Sequence, residues 1–116
     1  MKIKIIEKAT TISEFRQMAQ ETFGDFVKGV CDLEKRILAL GGELHSDCLD
    51  ELIEYGCEPK NIWGFNFFPD FSKEKNIEFT SLINIRPNLG NRSMEIESKE
   101  IKNKITEIIN SLIIWS

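Results

Sequence analysis

Arginine, asparagine and serine crowd one stretch of this chain, Asn84-Ile85-Arg86-Pro87-Asn88-Leu89-Gly90-Asn91-Arg92-Ser93. These side chains can grip carboxylates and phosphates, because a guanidinium presents a planar fork of donors and a primary amide presents donors and an acceptor side by side. Pro87 and Gly90 mark a turn just beyond an apolar run. Loops held by a rigid scaffold carry a disproportionate share of binding residues. The stretch therefore predicts a site for a small anionic or polar ligand, with Arg86, Asn91, Arg92 and Ser93 in contact with it.

Strand periodicity extends that site. If 76–86 is a strand, Ile77, Phe79, Ser81, Ile83 and Ile85 point one way and Glu78, Thr80, Leu82, Asn84 and Arg86 the other. In the preceding strand Trp63, Phe65 and Phe67 form the apolar set, with Gly64, Asn66 and Phe68 on the reverse. Glu43 and His45 share a face of an earlier strand. With these strands as neighbours, Glu43, His45, Asn66, Thr80, Asn84 and Arg86 are expected to gather on a helix-free sheet face beneath the 86–93 loop, with His45, Asn66 and Asn84 supporting the site. A solvated sheet face accounts for glutamate and threonine there without any ligand. It accounts less well for the asparagines and arginines together, since asparagine is depleted in strands. Trp63-Gly64 has two readings as well: close approach of a ligand, or room for a large neighbour across the strands, which is preferred.

His45 is the only histidine, which removes multi-histidine metal sites and the paired-histidine metalloprotease pattern. A thiolate paired with His45 would come from Cys48 or Cys57, yet a cysteine on a short amphipathic helix reads first as a buried apolar residue. Zinc held by His45, Cys48, Cys57 and Asp47 would have unusual spacing and no Cys-x-x-Cys pair. Glu43, Asp47, Asp50 and Glu51 could hold Mg²⁺, although acidic residues at a helix start follow from the helix dipole alone. A metal-dependent hydrolase would need Glu43, His45 and Asp47 to converge on one ion or water. Ligand binding is preferred to all of these, with no cofactor and no resident metal expected and no catalytic residue assigned.

The elements that must position these residues follow from periodicity. Residues 2–6 read as a short strand. Thr11 and Glu14 form a capping box, and Phe15, Ala19, Phe23, Phe26, Val30, Leu33, Ile37 and Leu40 recur at helical spacing up to the Gly41-Gly42 stop. The result is a helix of about 28 residues, about 42 Å long at 1.5 Å per residue, with a kink expected near Gly24. A strand at 43–46, a short helix at 47–55, an antiparallel hairpin of 61–68 with 76–86, and an edge strand around Met94 and Ile96 come next. Ser98 caps a last helix striped by Ile101, Ile105, Ile108, Ile109 and Leu112. The order predicts one α+β domain over 1–116, two-layered, with a mainly antiparallel sheet of four to five strands. The long N-terminal helix and the C-terminal helix cover one face, and the first β-α-β is a candidate right-handed crossover.

At 116 residues and 41% hydrophobic the chain can bury a core without staples. A net charge of −4 with dispersed Lys and Arg argues against nucleic acid as a partner. Three cysteines without a Cys-x-x-Cys pair fit free thiols in a reducing compartment. With no signal-like start and no apolar tract near 20 residues long, a cytoplasmic location away from membranes is expected. The apolar end Leu112-Ile113-Ile114-Trp115 predicts a homodimer through the C-terminal helix. A homo-oligomeric structural or regulatory partner protein without a small-molecule site is thus the alternative function.

Phe23-Gly24-Asp25, Gly41-Gly42-Glu43-Leu44-His45, Ile62-Trp63-Gly64-Phe65-Asn66 and the Arg-Pro-x-x-Gly-Asn-Arg-Ser segment from Arg86 give the chain a resemblance over nearly its whole length. It resembles a family of small, uncharacterised bacterial and archaeal single-domain proteins. That resemblance implies a cytosolic protein of unknown function and supplies no catalytic residues. It also implies that Cys48 and Cys57 lie outside the family pattern, which weakens the zinc reading.

Overall fold

Every residue of Ile62–Phe67, and every residue of Val27–Asp32 except Lys28, is buried. Strands buried at both parities need cover on both faces of their sheet. The computed structural model, which describes residues 2–115, supplies it. The strands are β1 (Lys4–Ile6), β2 (Thr10–Thr11), β3 (Val27–Asp32), β4 (Ile37–Leu40), β5 (Ile62–Phe67), β6 (Ile77–Glu78) and β7 (Ile113–Ile114). The helices are α1 (Ile12–Glu21), α2 (His45–Glu54) and α3 (Lys99–Ser111). The main sheet runs β1-β4-β3-β5-β6 with every pairing antiparallel. The α+β class and the five antiparallel strands agree with the sequence reading.

The expected two-layer arrangement is corrected. On one face Val27, Cys31, Leu38, Leu40, Phe65 and Phe67 pack with Phe15, Met18 and Ala19 of α1 and Ile105, Ile108 and Ile109 of α3. On the other, Val30, Ile37, Ala39 and Ile62 pack with Cys48 and Leu52 of α2 and with Cys57. A bare second face would have left this second apolar set in water, at a cost of about 25 cal/mol per Å².

The long N-terminal helix is also corrected: α1 stops at Glu21, and the rest of the expected helix is the β3–β4 hairpin. A straight helix over the whole span would exceed the 39 Å long axis of the molecule. The hairpin turns where Asp32 Oδ1 accepts the amides of Glu34 and Lys35 at 2.8 and 3.0 Å, and Arg36 takes a left-handed φ of 57°. Short apolar runs such as Val27–Asp32 and Ile37–Leu40 satisfy helical spacing by coincidence. The Thr11 half of the capping box is present, its hydroxyl accepting from the Glu14 amide, whereas Glu14 Oε2 accepts from Lys4.

Three smaller expectations change. Residues 43–46 form no strand, because His45 opens α2. Of 76–86 only Ile77–Glu78 pairs with β5. Ser81 then caps a 3-10 turn at Leu82–Asn84, and a second such turn follows at Pro87–Leu89. Around Met94 there is only an isolated bridge of Thr80 with Glu95. Ser98 caps α3 as expected.

The C-terminal tail is covered by its own chain. Ile113 is buried with Ile12 and Phe15, Trp115 meets Phe67 edge to face at 6.4 Å, and β7 pairs in parallel with β2. Only Ile114 of that apolar end is exposed. Among the described residues no helix is long and apolar enough to cross a membrane.

Candidate functional site

The 84–93 stretch satisfies most of its polar groups internally. Asn84 is fully buried beside Gly64: its Oδ1 accepts the Gly64 amide at 2.8 Å, and its Nδ2 donates to the Gly64 carbonyl at 3.1 Å and the Met94 carbonyl at 3.2 Å. One side chain thus replaces a paired strand at the edge of β5. A Cβ at Gly64 would lie 2.7 Å from Ser81 Cβ, so the glycine makes room for this turn, as the packing reading of Trp63-Gly64 expects. Asn91 is 3% exposed. Its Nδ2 donates to the carbonyls of Asn84, Ser93 and Glu95, and its Oδ1 accepts the Glu97 amide.

The two arginines differ. Arg86 is half-buried, its guanidinium 5.2 Å from the centre of the Trp63 ring and donating to the Pro59 carbonyl at 2.9 Å. Burial lowers its pKa. With Lys60 it lines a shallow hollow of about 220 Å³. The Arg92 side chain is exposed while its amide donates to Glu97 Oε2, which also accepts from Ser93 Oγ.

A larger cavity, of about 420 Å³, opens on the second sheet face where α2 begins, within the usual size of a small-molecule site. Its polar members are Lys28, His45, Ser46, Asn66, Thr80 and Ser81, and its apolar wall is Leu44, Leu82, Ile83 and Met94. The pleat of the sheet places Lys28 and Asn66 there, as directly paired residues of β3 and β5. The 3-10 turn held by Asn84 brings Leu82 and Ile83 across from them.

His45 Nε2 lies 2.8 Å from the Phe65 carbonyl. A carbonyl only accepts, so Nε2 carries the proton and the neutral ring keeps its lone pair on Nδ1. Burial lowers the His45 pKa, Lys28 adds to the effect, and the Phe65 carbonyl and the neighbouring Asn66 amide oppose it. The ring is therefore neutral near pH 7. Asn66, 8% exposed, donates from Nδ2 to Glu78 Oε1 at 2.8 Å and to the Thr80 carbonyl at 3.5 Å. Its Oδ1 is sealed from solvent near the His45 ring, without a hydrogen bond of good geometry. Leu44 caps α2 without a side-chain hydrogen bond, so the first amides of that helix also lack a side-chain acceptor.

Of the seven expected site residues, the structure brings His45 and Asn66 together in this cavity. Asn84 and Asn91 lie under the neighbouring turns, and Arg86, Arg92 and Ser93 stand apart from it. The extended strand that was to align Asn84 and Arg86 with Asn66 is absent. Glu43 and Asp47 line a different cleft from His45, so the three residues of the hydrolase reading do not converge. Among the described residues no group of three or more His, Cys, Asp and Glu side chains is placed to hold a metal. Cys48 and Cys57 are buried, their thiols pushed up to about 11 and about 12, chiefly by burial. Sequence reasoning missed Lys28, Ser81, Leu82 and Met94. Lys28, a lone cation inside the apolar run of β3, was the available signal.

A family model described as a protein of unknown function (DUF5674) matches residues 4–112. No curated protein and no solved structure matches the chain.

Proposed function

Because the chain belongs to the DUF5674 family of unknown function, we propose from the geometry alone that it is a binding protein for a small polar or anionic ligand. The ligand sits in the cavity at the start of α2. The observation that carries this reading is the cavity itself: about 420 Å³, with the buried polar side chain of Asn66 facing an apolar wall. Sites for small molecules combine a mostly apolar lining with a few fixed polar groups. In this reading the 86–93 loop is a buttress. Its bonds hold Asn84, and Asn84 holds the wall formed by Leu82 and Ile83.

A second seat suits an anion better, the hollow shared by Arg86 and Lys60. It keeps the sequence reading in which Arg86 touches the ligand, and it is favoured by the two cations on one small concavity.

Thermal-shift screening of the full chain against nucleotides, carboxylates, metals and small amphiphiles tests both, since a ligand bound only by the folded state raises Tm by mass action. A response removed by Leu82→Arg supports the cavity, and one removed by Arg86→Gln supports the hollow. Leu82 is 71% exposed, so its replacement should leave the unliganded Tm nearly unchanged. A screen in which no compound raises Tm would end the binding reading.

A further inference from the structure

We propose that the cavity at the start of α2 takes a singly charged amphiphile, a carboxylate carried on a compact apolar body, and that the Lys28 ammonium is the counterion of that carboxylate. The inference rests on the binding function proposed above and narrows its ligand to one class.

The first argument is the position of Lys28. β3 is the middle strand of the five, and Lys28 is its only residue that is not buried. Val30, on the same face of the strand, is fully buried against Cys48 and Leu52 of α2. The covered centre of a sheet seldom holds a lysine without a partner. The ion pairs of the described residues nevertheless join Lys4, Arg16, Arg36 and Lys60 to carboxylates, and Lys28 is in none of them. Its ammonium rests 4.9 Å from the centre of the exposed Phe23 ring, a contact weaker than a charge-assisted hydrogen bond. The flexible four-carbon stem lets it turn from the ring onto an anion in the cavity that it lines.

The second argument is the division of charge across the cavity. Lys28, Asn66 and Glu78 stand in one row across β3, β5 and β6, so Asn66 keeps the cation two strand spacings from Glu78, about 10 Å between backbones. Glu78 is tied to Asn66 Nδ2 at 2.8 Å, and Glu95 accepts from the Thr80 hydroxyl. One end of the cavity is therefore positive and the other lies beside two carboxylates. A single negative charge fits at the Lys28 end. A phosphate monoester, close to doubly charged near pH 7, would bring a second charge toward Glu78 and Glu95, and the lining holds no second lysine or arginine to meet it.

The wall calls for an apolar body behind that charge. Leu44, Leu82 and Met94 are 56%, 71% and 41% exposed, and all three border the same opening. Large apolar side chains scattered singly over a surface need no explanation, whereas several around one concavity mark a contact surface. An amphiphile answers both features at once: its head meets the unpaired cation, and its body covers the leucines and the methionine.

The test is a titration of the ¹⁵N-labelled full chain near pH 7 with four molecules, followed by amide chemical shifts. p-Toluate has the apolar body and one charge, p-toluamide the same shape without charge, p-tolyl phosphate a second charge, and acetate the charge without the body. p-Toluate is expected to bind with a Kd on the order of 1 mM, shifting the backbone amides of Lys28, Leu82 and Met94. p-Toluamide and acetate should each bind about tenfold more weakly. Lys28→Gln should bring p-toluate down to the affinity of p-toluamide and leave p-toluamide unchanged, a pattern that a general loosening of the fold does not give. Leu82→Ser should weaken both. The comparison of p-toluate with p-toluamide is made on the wild type, so it decides the matter even where Lys28→Gln fails to fold. Equal binding of these two at the named residues would overturn the counterion role and leave the cavity as a binding site. Tightest binding by p-tolyl phosphate would overturn the singly charged class and leave the anionic form of the proposed function. Shifts confined to Lys60, Arg86 and Leu89 would overturn the cavity as the seat and leave the hollow. Absence of shifts with all four molecules would overturn the inference, whereas the proposed function falls only when the wider Tm screen is also blank.

Discussion

The 84–93 stretch and the cavity at the start of α2 are built from the same side-chain types and end in opposite states. In the stretch, Asn84 and Asn91 use both ends of their amides on backbone groups, and Arg86 lies on Trp63 with a carbonyl as its partner. In the cavity, Asn66 uses its Nδ2 on Glu78 and Thr80 while its sealed Oδ1 makes no well-formed bond, and His45 uses Nε2 on the Phe65 carbonyl. Polar density along a chain therefore marks two different things. A tight pair of turns leaves many backbone groups outside any sheet or helix, and neighbouring side chains must satisfy them. A ligand site is marked by what stays unsatisfied once the fold is complete.

Asn84→Ala should have the largest effect. It removes three hydrogen bonds and leaves the buried Gly64 amide without an acceptor, so urea unfolding should show a loss of about 3 kcal/mol. A loss below about 0.5 kcal/mol would erase the distinction between stretch and cavity. Gly64→Ala comes next, because its methyl group would press on Ser81 and Ile83. A loss of about 2 kcal/mol is expected, together with a weaker ligand response in the Tm screen as the cavity wall is displaced.

Arg86→Ala should cost about 1 kcal/mol through lost packing on Trp63 and the bond to Pro59. Full unfolding would show that the arginine is a keystone of the turn and would remove it as an anion ligand. The His45 effect is a difference in pH slope. Its folded pKa lies below the ordinary 6.5 because of burial, so the unfolded chain binds the proton first as pH falls. Stability is then lost as pH drops through 6.5 toward the lowered folded value. His45→Gln keeps a donor for the Phe65 carbonyl and should flatten that slope relative to wild type. An unchanged slope would mean that the ring is solvated in the folded chain. Arg92→Ala, at an exposed side chain, should stay within about 0.5 kcal/mol of wild type. A larger loss would show that the loop depends on that guanidinium.

Local signals were legible where local physics decides. Thr11 and Ser98 cap helices because their hydroxyls reach amides three residues on. Trp63, Phe65 and Phe67 share a face because strand side chains alternate. Residues 23–40 were misread because Val30, Leu33, Ile37 and Leu40 fit a helical stripe as well as two short strands. The period alone does not separate them. Gly24, β-branched Val27 and Val30, and the turn-forming Asp32 were the contrary signals. In the site, His45 and Asn66 could be named from the sequence, whereas Lys28 and Leu82 were hidden, one inside an apolar run and one in a supposed strand.

By itself the sequence determined the α+β class, the starts of α1 and α3 and the alternation of β5, since each depends on groups within a few residues of one another. Only the tertiary structure decided which asparagine keeps an oxygen without a well-formed bond. Asn66, Asn84 and Asn91 are chemically identical, and what separates them is whether Glu78, Gly64 or the Glu97 amide comes within hydrogen-bonding distance. Most of those partners come together through the β5–β6 pairing and the turns packed over Gly64. Placement of α2 on the second face was decided in the same way. It follows from apolar residues of β3, β4 and β5 that become one surface only when the strands pair.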